Sequence, residues 1–202
     1  MLVDRLLSVL APPRCAACDE LLRREAVFCA ACVATLEPPP PLPSHITASF
    51  AYGGALADAI RSAKFRGRLD RLRLLGYALR TRMPRGPFDV VAPVPLHPAR
   101  LRERGYDQAA VLAFAAARAL GARCLPELLT RVIDTPHLAE LDAPARAKAV
   151  QGAFVAGACA GLRVLLIDDV TTTGATLSAA CAAIEAVSGV ARAHVLAATP
   201  KG

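Results

Sequence analysis

The residues best suited to chemistry lie between Val164 and Thr176. Four apolar residues run into two adjacent carboxylates, Asp168 and Asp169. A loop of hydroxyls with one glycine then follows: Thr171, Thr172, Thr173, Gly174, Ala175 and Thr176. The apolar run predicts a parallel strand buried on both faces, and the helical spacing of apolar residues predicts a helix from Ala175 to Val187.

A strand, a small-residue loop and a helix in this order predict a phosphate site. The N–H groups at a helix N-terminus, with threonine hydroxyls beside them, can cradle a phosphate dianion, and Gly174 lets the backbone approach it. Asp168 and Asp169 would repel that phosphate, so we expect them to face another group, and vicinal sugar hydroxyls would suit them. The alternative is an ordinary strand end at which both acids cap a turn or helix.

A second candidate site follows the apolar residues after Phe88. This stretch predicts another buried strand, and open α/β sheets bind ligands at the carboxyl ends of their strands. The residues at that end form a proline-punctuated turn with arginines after it: Pro95, Leu96, His97, Arg100, Arg102 and Arg104. The turn would suit a pyrophosphate. His97 could make one hydrogen bond within the turn or contact the ligand directly.

Two identical Cys-Ala-Ala-Cys units predict a metal site near the N-terminus. Their cysteines are Cys15, Cys18, Cys29 and Cys32, with residues 19–28 between the two units. Four thiolates at this spacing are typical of structural Zn²⁺. A disulfide scaffold is disfavoured because nothing in the sequence indicates export. A redox motif would need a single pair beside a βαβ unit rather than a matched pair.

The charge of the chain is concentrated in one segment. The net charge is +7, but residues 61–104 hold twelve Lys or Arg against three acidic residues. This basic segment would suit phosphates, either on a small substrate or on a nucleic-acid backbone. The alternative is a solvated, arginine-rich helix face. No apolar run approaches the roughly 18 residues of a membrane span, and the N-terminus is a poor secretory signal, so we expect a cytoplasmic protein.

The composition predicts three regions along the chain. Residues 1–37 would form a zinc ribbon with a short helix from Leu2 to Leu10, and residues 38–45 a proline-rich linker. Residues 46–202 would form an α/β domain with a parallel sheet flanked by helices. Within it, residues 131–151 lose periodicity and predict a mobile loop over the site.

The whole chain resembles the ComF family of competence-associated, phosphoribosyltransferase-like proteins. The motifs that carry the resemblance are the paired Cys-x-x-Cys, Phe65-Arg66-Gly67, Val94 to Pro98, Leu101 to Tyr106, Gly152 to Phe154 and Asp168 to Thr176. The resemblance implies a type I phosphoribosyltransferase-like domain that binds phosphoribosyl pyrophosphate (PRPP), and a role in DNA uptake.

The resemblance also implies roles for individual residues. Asp168 and Asp169 would hold the ribose hydroxyls, residues 171–176 the 5′-phosphate, and residues 95–97 the pyrophosphate. Residues 131–149 would form the flexible catalytic loop, in which Arg146 or Lys148, with Mg²⁺ and the arginines after His97, would neutralise pyrophosphate. This chain departs from the family at Asp107, Leu138 and Ala149, where amide side chains are usual.

Two hypotheses therefore stand at the level of the sequence. The first is an enzyme that transfers a phosphoribosyl group from Mg²⁺-bound PRPP to an acceptor that no residue identifies. The second is a non-catalytic module that senses PRPP and contacts single-stranded DNA or competence proteins through the zinc ribbon and basic segment. The departures in the flexible loop favour weak or absent catalysis.

Overall fold

The computed structural model describes residues 13–23, 25–65, 68–134, 145 and 148–200, so the helix predicted from Leu2 to Leu10 lies outside the described residues. The strands are β1 Ile46–Ala51, β2 Val90–Pro93, β3 Arg123–Cys124, β4 Leu129–Arg131, β5 Phe154–Ala156, β6 Arg163–Thr171 and β7 Val190–Ala198. The α-helices are α1 Ala30–Val33, α2 Gly54–Phe65, α3 Leu69–Leu79, α4 Pro98–Arg104, α5 Gln108–Leu120 and α6 Ala175–Glu185. Two 3₁₀ turns, Arg80–Arg82 and Pro126–Leu128, follow α3 and β3.

Five strands form one parallel sheet in the order β1, β7, β6, β2, β3. The two central strands β6 and β7 pair over their whole lengths, from Arg163 opposite Val190 to Thr171 opposite Ala198. The remaining strands, β4 and β5, form a separate antiparallel pair. The sheet confirms the predicted α/β class with a parallel sheet flanked by helices.

Helices cover both faces of the sheet, which explains why its central strand is apolar on both sides. On one face, Leu165 and Ile167 of β6 pack in a cluster with residues of α2, α3 and α5. On the other face, Val164 and Leu166 pack with residues of α6 and of the β4–β5 pair. All four of these β6 side chains are fully buried.

The chain reverses its direction across the sheet between β2 and β6. From β2 it passes through α5 to β3 on one side, and from β6 it passes through α6 to β7 on the other. The helices α5 and α6 therefore lie on opposite faces. Such a switch point leaves a crevice at the carboxyl ends of the two strands, which is where open α/β sheets bind ligands.

The N-terminal cysteine region packs directly on α2 and α3. Cys15, Ala16 and Phe28 belong to the same core cluster as the buried faces of these helices. The buried guanidinium of Arg71 on α3 donates to the carbonyls of Ala16, at 2.8 Å, and Ala17, and forms an ion pair with Asp19. Apolar packing and the hydrogen bonds of the buried Arg71 guanidinium thus hold the cysteine region on the helices.

The residues from Arg123 to Leu129 predict one more strand, although Pro126 opposes it. In the structure this stretch is interrupted by the 3₁₀ turn that begins at Pro126, because proline cannot donate to a strand ladder. Two further predicted boundaries are also wrong. The helix after Gly174 ends at Glu185, two residues early. Strand β6 continues to Thr171 rather than ending before Asp168, so both carboxylates lie inside the strand. None of the helices in the described ranges has the length and apolar character needed to cross a bilayer.

A buried histidine on β7 joins the sheet to the helical layer. His194 is fully buried, and its Nε2 lies 3.2 Å from the Leu79 carbonyl while its Nδ1 lies 2.8 Å from the Thr47 hydroxyl. A neutral ring satisfies both contacts, since Nε2–H donates to the carbonyl and Nδ1 accepts from the hydroxyl. Burial lowers the pKa of His194 to about 4.

We predict that His194 stays neutral in the folded protein down to about pH 5. In the unfolded chain its pKa returns to 6.5, so the unfolded state binds more protons between these two values. The contribution of His194 to the free energy of unfolding is then complete above pH 6.5 and falls by about 3 kcal/mol as pH drops to 4. An NMR titration of the His194 ring checks this, and a midpoint near 6.5 in the folded protein would contradict it.

Candidate functional site

The two adjacent carboxylates of β6 point to opposite faces of the sheet, because side chains alternate along a strand. Asp169 lies on the face of α2 and α5, beside Lys64, Gln108 and Leu112. Asp168 then points toward the side that carries α6 and the β4–β5 pair, and its charge acts on the buried guanidinium of Arg131 at the end of β4. The two acids therefore have different surroundings.

Asp169 is held by a lysine that the sequence reasoning missed. The Lys64 Nζ lies 2.6 Å from the Asp169 Oδ2, and the two side chains are only 21% and 12% exposed. Asp169 also accepts a hydrogen bond from the N–H of Val170, at 2.7 Å. Lys64 is the last residue but one of α2 and directly precedes Phe65-Arg66-Gly67. The sequence could have pointed to Lys64 because it lies next to this motif.

Tyr106, the last residue of the Leu101 to Tyr106 motif, holds the end of α2. The Tyr106 hydroxyl donates to the carbonyl of Ala63 and lies 3.4 Å from that of Lys64. The next residue, Asp107, caps α5 by accepting from the N–H of Ala110 at 3.2 Å. Burial raises the pKa of Asp107, and the charge of Asp169 raises it further. Segments far apart in the sequence thus converge on the Lys64–Asp169 pair.

The surroundings of Asp168 disfavour the ionised form of its carboxyl group. Burial and the neighbouring charge of Asp169 raise the pKa of Asp168 to about 8, although the N–H of Asp169 donates to its Oδ1 at 2.8 Å and Lys64 acts in the opposite direction. The protonated form of this carboxyl group is therefore more favoured in the ligand-free protein than in a free aspartic acid. Such a group can either donate a hydrogen bond to a ligand hydroxyl or accept one after losing that proton.

The threonine loop forms the N-terminus of α6, as the sequence predicts. Gly174 is the N-cap residue, with a φ of 80° and no side chain to cap the helix. A side chain at this position would be strained by the positive φ and would also displace the end of the Ile46 side chain, whose Cδ1 lies 2.8 Å from a Cβ built there. The N–H of Gly174 donates to the Thr171 hydroxyl at 3.1 Å, and Ala175 N–H approaches the Thr173 hydroxyl at 3.4 Å. These hydroxyls turn toward their own backbone amides.

The turn at residues 95–97 lies beside this loop, because β2 and β6 are neighbours in the sheet. Pro93 is opposite Ile167, and the N–H of Val94 donates to the Ile167 carbonyl at 2.8 Å. His97 caps α4 by accepting from the N–H of Ala99 at 3.4 Å, which is the turn role left open by the sequence. The partly buried residues Pro95 and Leu96 precede it.

The carboxylate of Asp134 lies between the side chains of His97 and Arg100. One oxygen lies 3.6 Å from the His97 Nδ1 and the other 3.7 Å from the Arg100 Nε. Arg131 is buried nearby, with its guanidinium 5.5 Å from the centre of the Phe154 ring. Burial and the charge of Arg100 lower the pKa of Arg131, while the charges of Asp168 and Asp134 act in the opposite direction. Arg100 and Arg131 are thus two cations at this corner that could contact an anion.

The remaining predicted site residues divide into two groups. Lys148 is exposed and lines an open groove of about 920 Å³ together with Thr173, Ala175 and Ser178. Thr172 is exposed, and Thr176 is partly buried in the first turn of α6. The Arg104 side chain, Leu138 and all of Arg146 lie outside the described part of the chain.

The four cysteines of the N-terminal region come together as predicted. Their sulfur atoms lie within 4.8 Å of one another, and the Cys18 and Cys29 sulfurs are 3.7 Å apart. Tetrahedral zinc with Zn–S bonds of about 2.3 Å requires sulfurs about 3.8 Å apart, so the donor set and its dimensions fit this metal. The residues Cys15, Cys18, Cys29 and Cys32 are thus positioned to hold a structural ion.

The electrostatics of the cluster also fit a cation. Burial disfavours the Cys15 thiolate, but hydrogen bonds from backbone N–H groups, including that of Cys29 at 3.4 Å, outweigh it and lower the pKa of Cys15 to about 7. Burial and the surrounding thiols raise the pKa of Cys32. Four thiolates cannot coexist at this distance without a positive charge among them.

Comparisons with known proteins return structural likeness only. No protein-family model and no curated protein matches the chain. One similar solved structure is an adenine phosphoribosyltransferase, with 16% identity, a TM-score of 0.40, and coverage of 70% of this chain and 75% of the other. Another is the adenine phosphoribosyltransferase of Thermoanaerobacter pseudethanolicus, with 15% identity, a TM-score of 0.39, and coverage of 65% and 70%.

We predict that removal of zinc unfolds the cysteine region. Structural zinc contributes on the order of 10 kcal/mol to the folding of such small regions. Chelation should therefore release one Zn²⁺ per chain and expose the backbone amides of residues 13–23 and 25–35 to hydrogen exchange. The matched control is Cys124→Ser, a cysteine outside the cluster, which should keep the zinc. Unchanged exchange after chelation would contradict the assignment.

We predict that Lys64→Met destabilises the protein by about 3 kcal/mol, because it leaves the Asp169 carboxylate buried without its partner. Combining it with Asp169→Asn should recover most of this loss, since no buried charge is then unpaired. Urea unfolding of the two single variants and the double variant measures the coupling. The exposed Arg61–Asp58 pair is the control, and Arg61→Gln should have no measurable effect. Additive effects of Lys64→Met and Asp169→Asn would contradict the pairing.

Proposed function

We propose that this protein is a ComF-type, phosphoribosyltransferase-like protein that binds PRPP together with Mg²⁺. The observation that carries the proposal is the switch point of the sheet. There, the neighbouring strands β2 and β6 lead into the 95–97 turn and the 171–176 loop, and Asp168 lies in β6 near its end. PRPP presents two groups of phosphates on either side of a ribose, and this crevice would offer an anion site at each loop and a carboxyl group for the sugar.

The 5′-phosphate would bind in the 171–176 loop. There the N–H groups of the first turn of α6 and the hydroxyls of Thr173 and Thr176 would donate to it. The Thr171 and Thr173 hydroxyls accept from the loop's own amides at 3.1 and 3.4 Å. A hydroxyl that accepts a hydrogen bond still has its own O–H to donate, so Thr173 would donate to the phosphate without losing this contact.

The pyrophosphate would bind at the 95–97 turn. An incoming anion would replace the carboxylate of Asp134 between His97 and Arg100, which lie 3.6 and 3.7 Å from it. Arg131 would add a buried positive charge to the same corner. Mg²⁺ would arrive with PRPP, take most of its ligands from substrate oxygens and water, and neutralise part of the charge of the leaving group.

The two carboxylates would then have different tasks. Asp168 would contact the ribose hydroxyls and, when ionised, stabilise positive charge that develops on the sugar as the bond to pyrophosphate breaks. Asp169, held by Lys64, would fix the end of the strand and keep Asp168 in place. Transfer to an acceptor would be slow, because Ala149 and Leu138 stand where the family usually has amide side chains.

We predict that calorimetric titration of the zinc-loaded protein with PRPP and Mg²⁺ gives binding that is at least about tenfold weaker in Asp168→Asn, since a hydrogen bond to a charged group contributes about 1.5–3 kcal/mol. Asparagine is neutral and similar in shape to the protonated acid, so the variant should fold at least as stably as the wild type. A parallel assay of pyrophosphate release tests transfer.

The matched control is Asp89→Asn. This carboxylate pairs with Arg163 at the opposite edge of the sheet, where β2 and β6 begin. Its loss should leave the affinity for PRPP unchanged. Absence of binding by the wild type, or equal affinity of the wild type and Asp168→Asn, would contradict the proposal.

A further inference from the structure

We propose that the cysteine cluster is a site of oxidation by hydroperoxides, at which the Cys18 thiolate reacts first and Cys29 then forms a disulfide with it. The oxidised cluster keeps only two of the four thiolates that would hold its metal ion. The cysteines lie outside the crevice between β2 and β6, so the proposal does not depend on PRPP binding.

The four cysteines differ in their exposure to solvent. Cys15 and Cys29 are buried, with exposed fractions of 1% and 7%, and Cys32 is partly buried. Cys18 is the exposed member of the cluster. Exposure is one of the factors that decide which cysteine an oxidant modifies, because the oxidant must approach the sulfur atom. The structure therefore makes Cys18 the first target.

Cys18 also lines a polar recess of about 510 Å³ between the cysteine region and the helices on which it packs. The lining includes Asp19 beside it, Arg61 and Ser62 of α2, and Arg71 of α3. A hydroperoxide is small and polar, so it fits a recess of hydroxyl, carboxylate and guanidinium groups. The N–H groups of Arg61 would donate to the oxygen that leaves as hydroxide, and a donor placed where negative charge develops lowers the barrier.

Cys29 is placed to complete the disulfide. Its sulfur lies 3.7 Å from that of Cys18, and its N–H donates to the Cys15 sulfur at 3.4 Å. An S–S bond is about 2.05 Å long, so the Cys18 and Cys29 sulfurs need to approach by less than about 2 Å. Because Cys29 is buried beside Cys18, its sulfur meets the oxidised Cys18 without competition from thiols in solution.

The reaction balances with hydrogen peroxide as the oxidant. The Cys18 thiolate attacks one peroxide oxygen, the O–O bond breaks, and the other oxygen leaves as hydroxide, which gives a sulfenic acid at Cys18. The Cys29 thiolate then attacks the Cys18 sulfur and displaces a second hydroxide as the S–S bond forms. Two protons from solvent convert both hydroxides to water. The two thiolates lose two electrons, and the peroxide gains them.

Oxidation would also undo the packing of the cysteine region on the helical layer. Structural zinc takes four ligands, and a region with so little core depends on the metal to fold. Cys15, Ala16 and Phe28 share an apolar cluster with α2 and α3, and Arg71 donates to the carbonyls of Ala16 and Ala17. These contacts would be lost together, so the proposal links the redox state of the cluster to the stability of the helical layer.

Treatment of the zinc-loaded full chain with excess hydrogen peroxide tests the proposal. A chromophoric chelator should record the release of one Zn²⁺ per chain, and tandem mass spectrometry should find the disulfide between Cys18 and Cys29. Reduction by a dithiol followed by added Zn²⁺ should restore the cluster. Brief alkylation of the untreated, zinc-loaded protein with iodoacetamide should modify Cys18 before the other three ligands.

Two histidine variants separate the role of Cys18 from a general sensitivity of the cluster. Histidine is itself a zinc ligand, so Cys18→His and Cys32→His each keep four ligands. Zinc release should be slower by roughly tenfold or more in Cys18→His, which lacks the exposed thiolate, and should stay within about twofold of the wild type in Cys32→His. Cys124→Ser, outside the cluster, should release zinc at the wild-type rate.

Three results would overturn the proposal. The wild type could keep its zinc in peroxide, Cys32→His could resist oxidation as well as Cys18→His does, or the disulfide could join a pair that excludes Cys18. If Cys18→His failed to take up zinc, the order of alkylation in the wild type would decide, and modification of Cys15, Cys29 or Cys32 ahead of Cys18 would contradict the assignment.

Discussion

The site depends on one buried ion pair. Strand β6 carries two carboxylates inside a sheet that is covered on both faces, and a buried carboxylate is strongly disfavoured unless a cation or hydrogen-bond donors surround it. Lys64, 2.6 Å from Asp169, supplies the cation from the end of α2. Asp168 has no equivalent partner in the described residues other than its neighbour's N–H, and its raised pKa is the consequence. The charge of Asp169 is therefore compensated within the protein. Asp168 has no such cation beside it, and its carboxyl group could contact a ligand.

The Lys64–Asp169 ion pair is also the point at which segments far apart in the sequence come into contact. Tyr106 holds the carbonyl oxygens at the end of α2, so Lys64 is directed at β6. Asp107 begins α5, whose residues Gln108 and Leu112 cover Asp169. The cysteine region packs on the same helical layer through Arg71, near the start of α3. The position of α2 and α3 thus links the cysteine cluster to the strand that carries Asp169.

The sequence predicted the features that depend on local pattern. The apolar run of β6, the helix that follows Gly174, and the paired cysteines each follow from spacing and residue type alone. The prediction for the two carboxylates was incomplete, because their positions at the strand end suggested a shared ligand. Pairing of Asp168 and Thr171 with Val195 and Ala198 extends the strand and separates the acids onto two faces.

Other features arise from tertiary structure and have no local signal. Lys64 is one of twelve cations in the basic segment, and only the packing of α2 against β6 distinguishes it. Cys18 and Arg61 are far apart in the sequence, and they line one recess because the cysteine region packs on α2 and α3.

The measurement that tests the central claim most directly is hydrogen exchange of the backbone amides with and without PRPP and Mg²⁺. If the crevice between β2 and β6 binds PRPP, the amides of residues 172–177 and of Leu96, His97 and Ala99 should exchange more slowly in its presence, while those of α3 should not change. Protection confined to other segments, or none at all at saturating PRPP, would contradict the account.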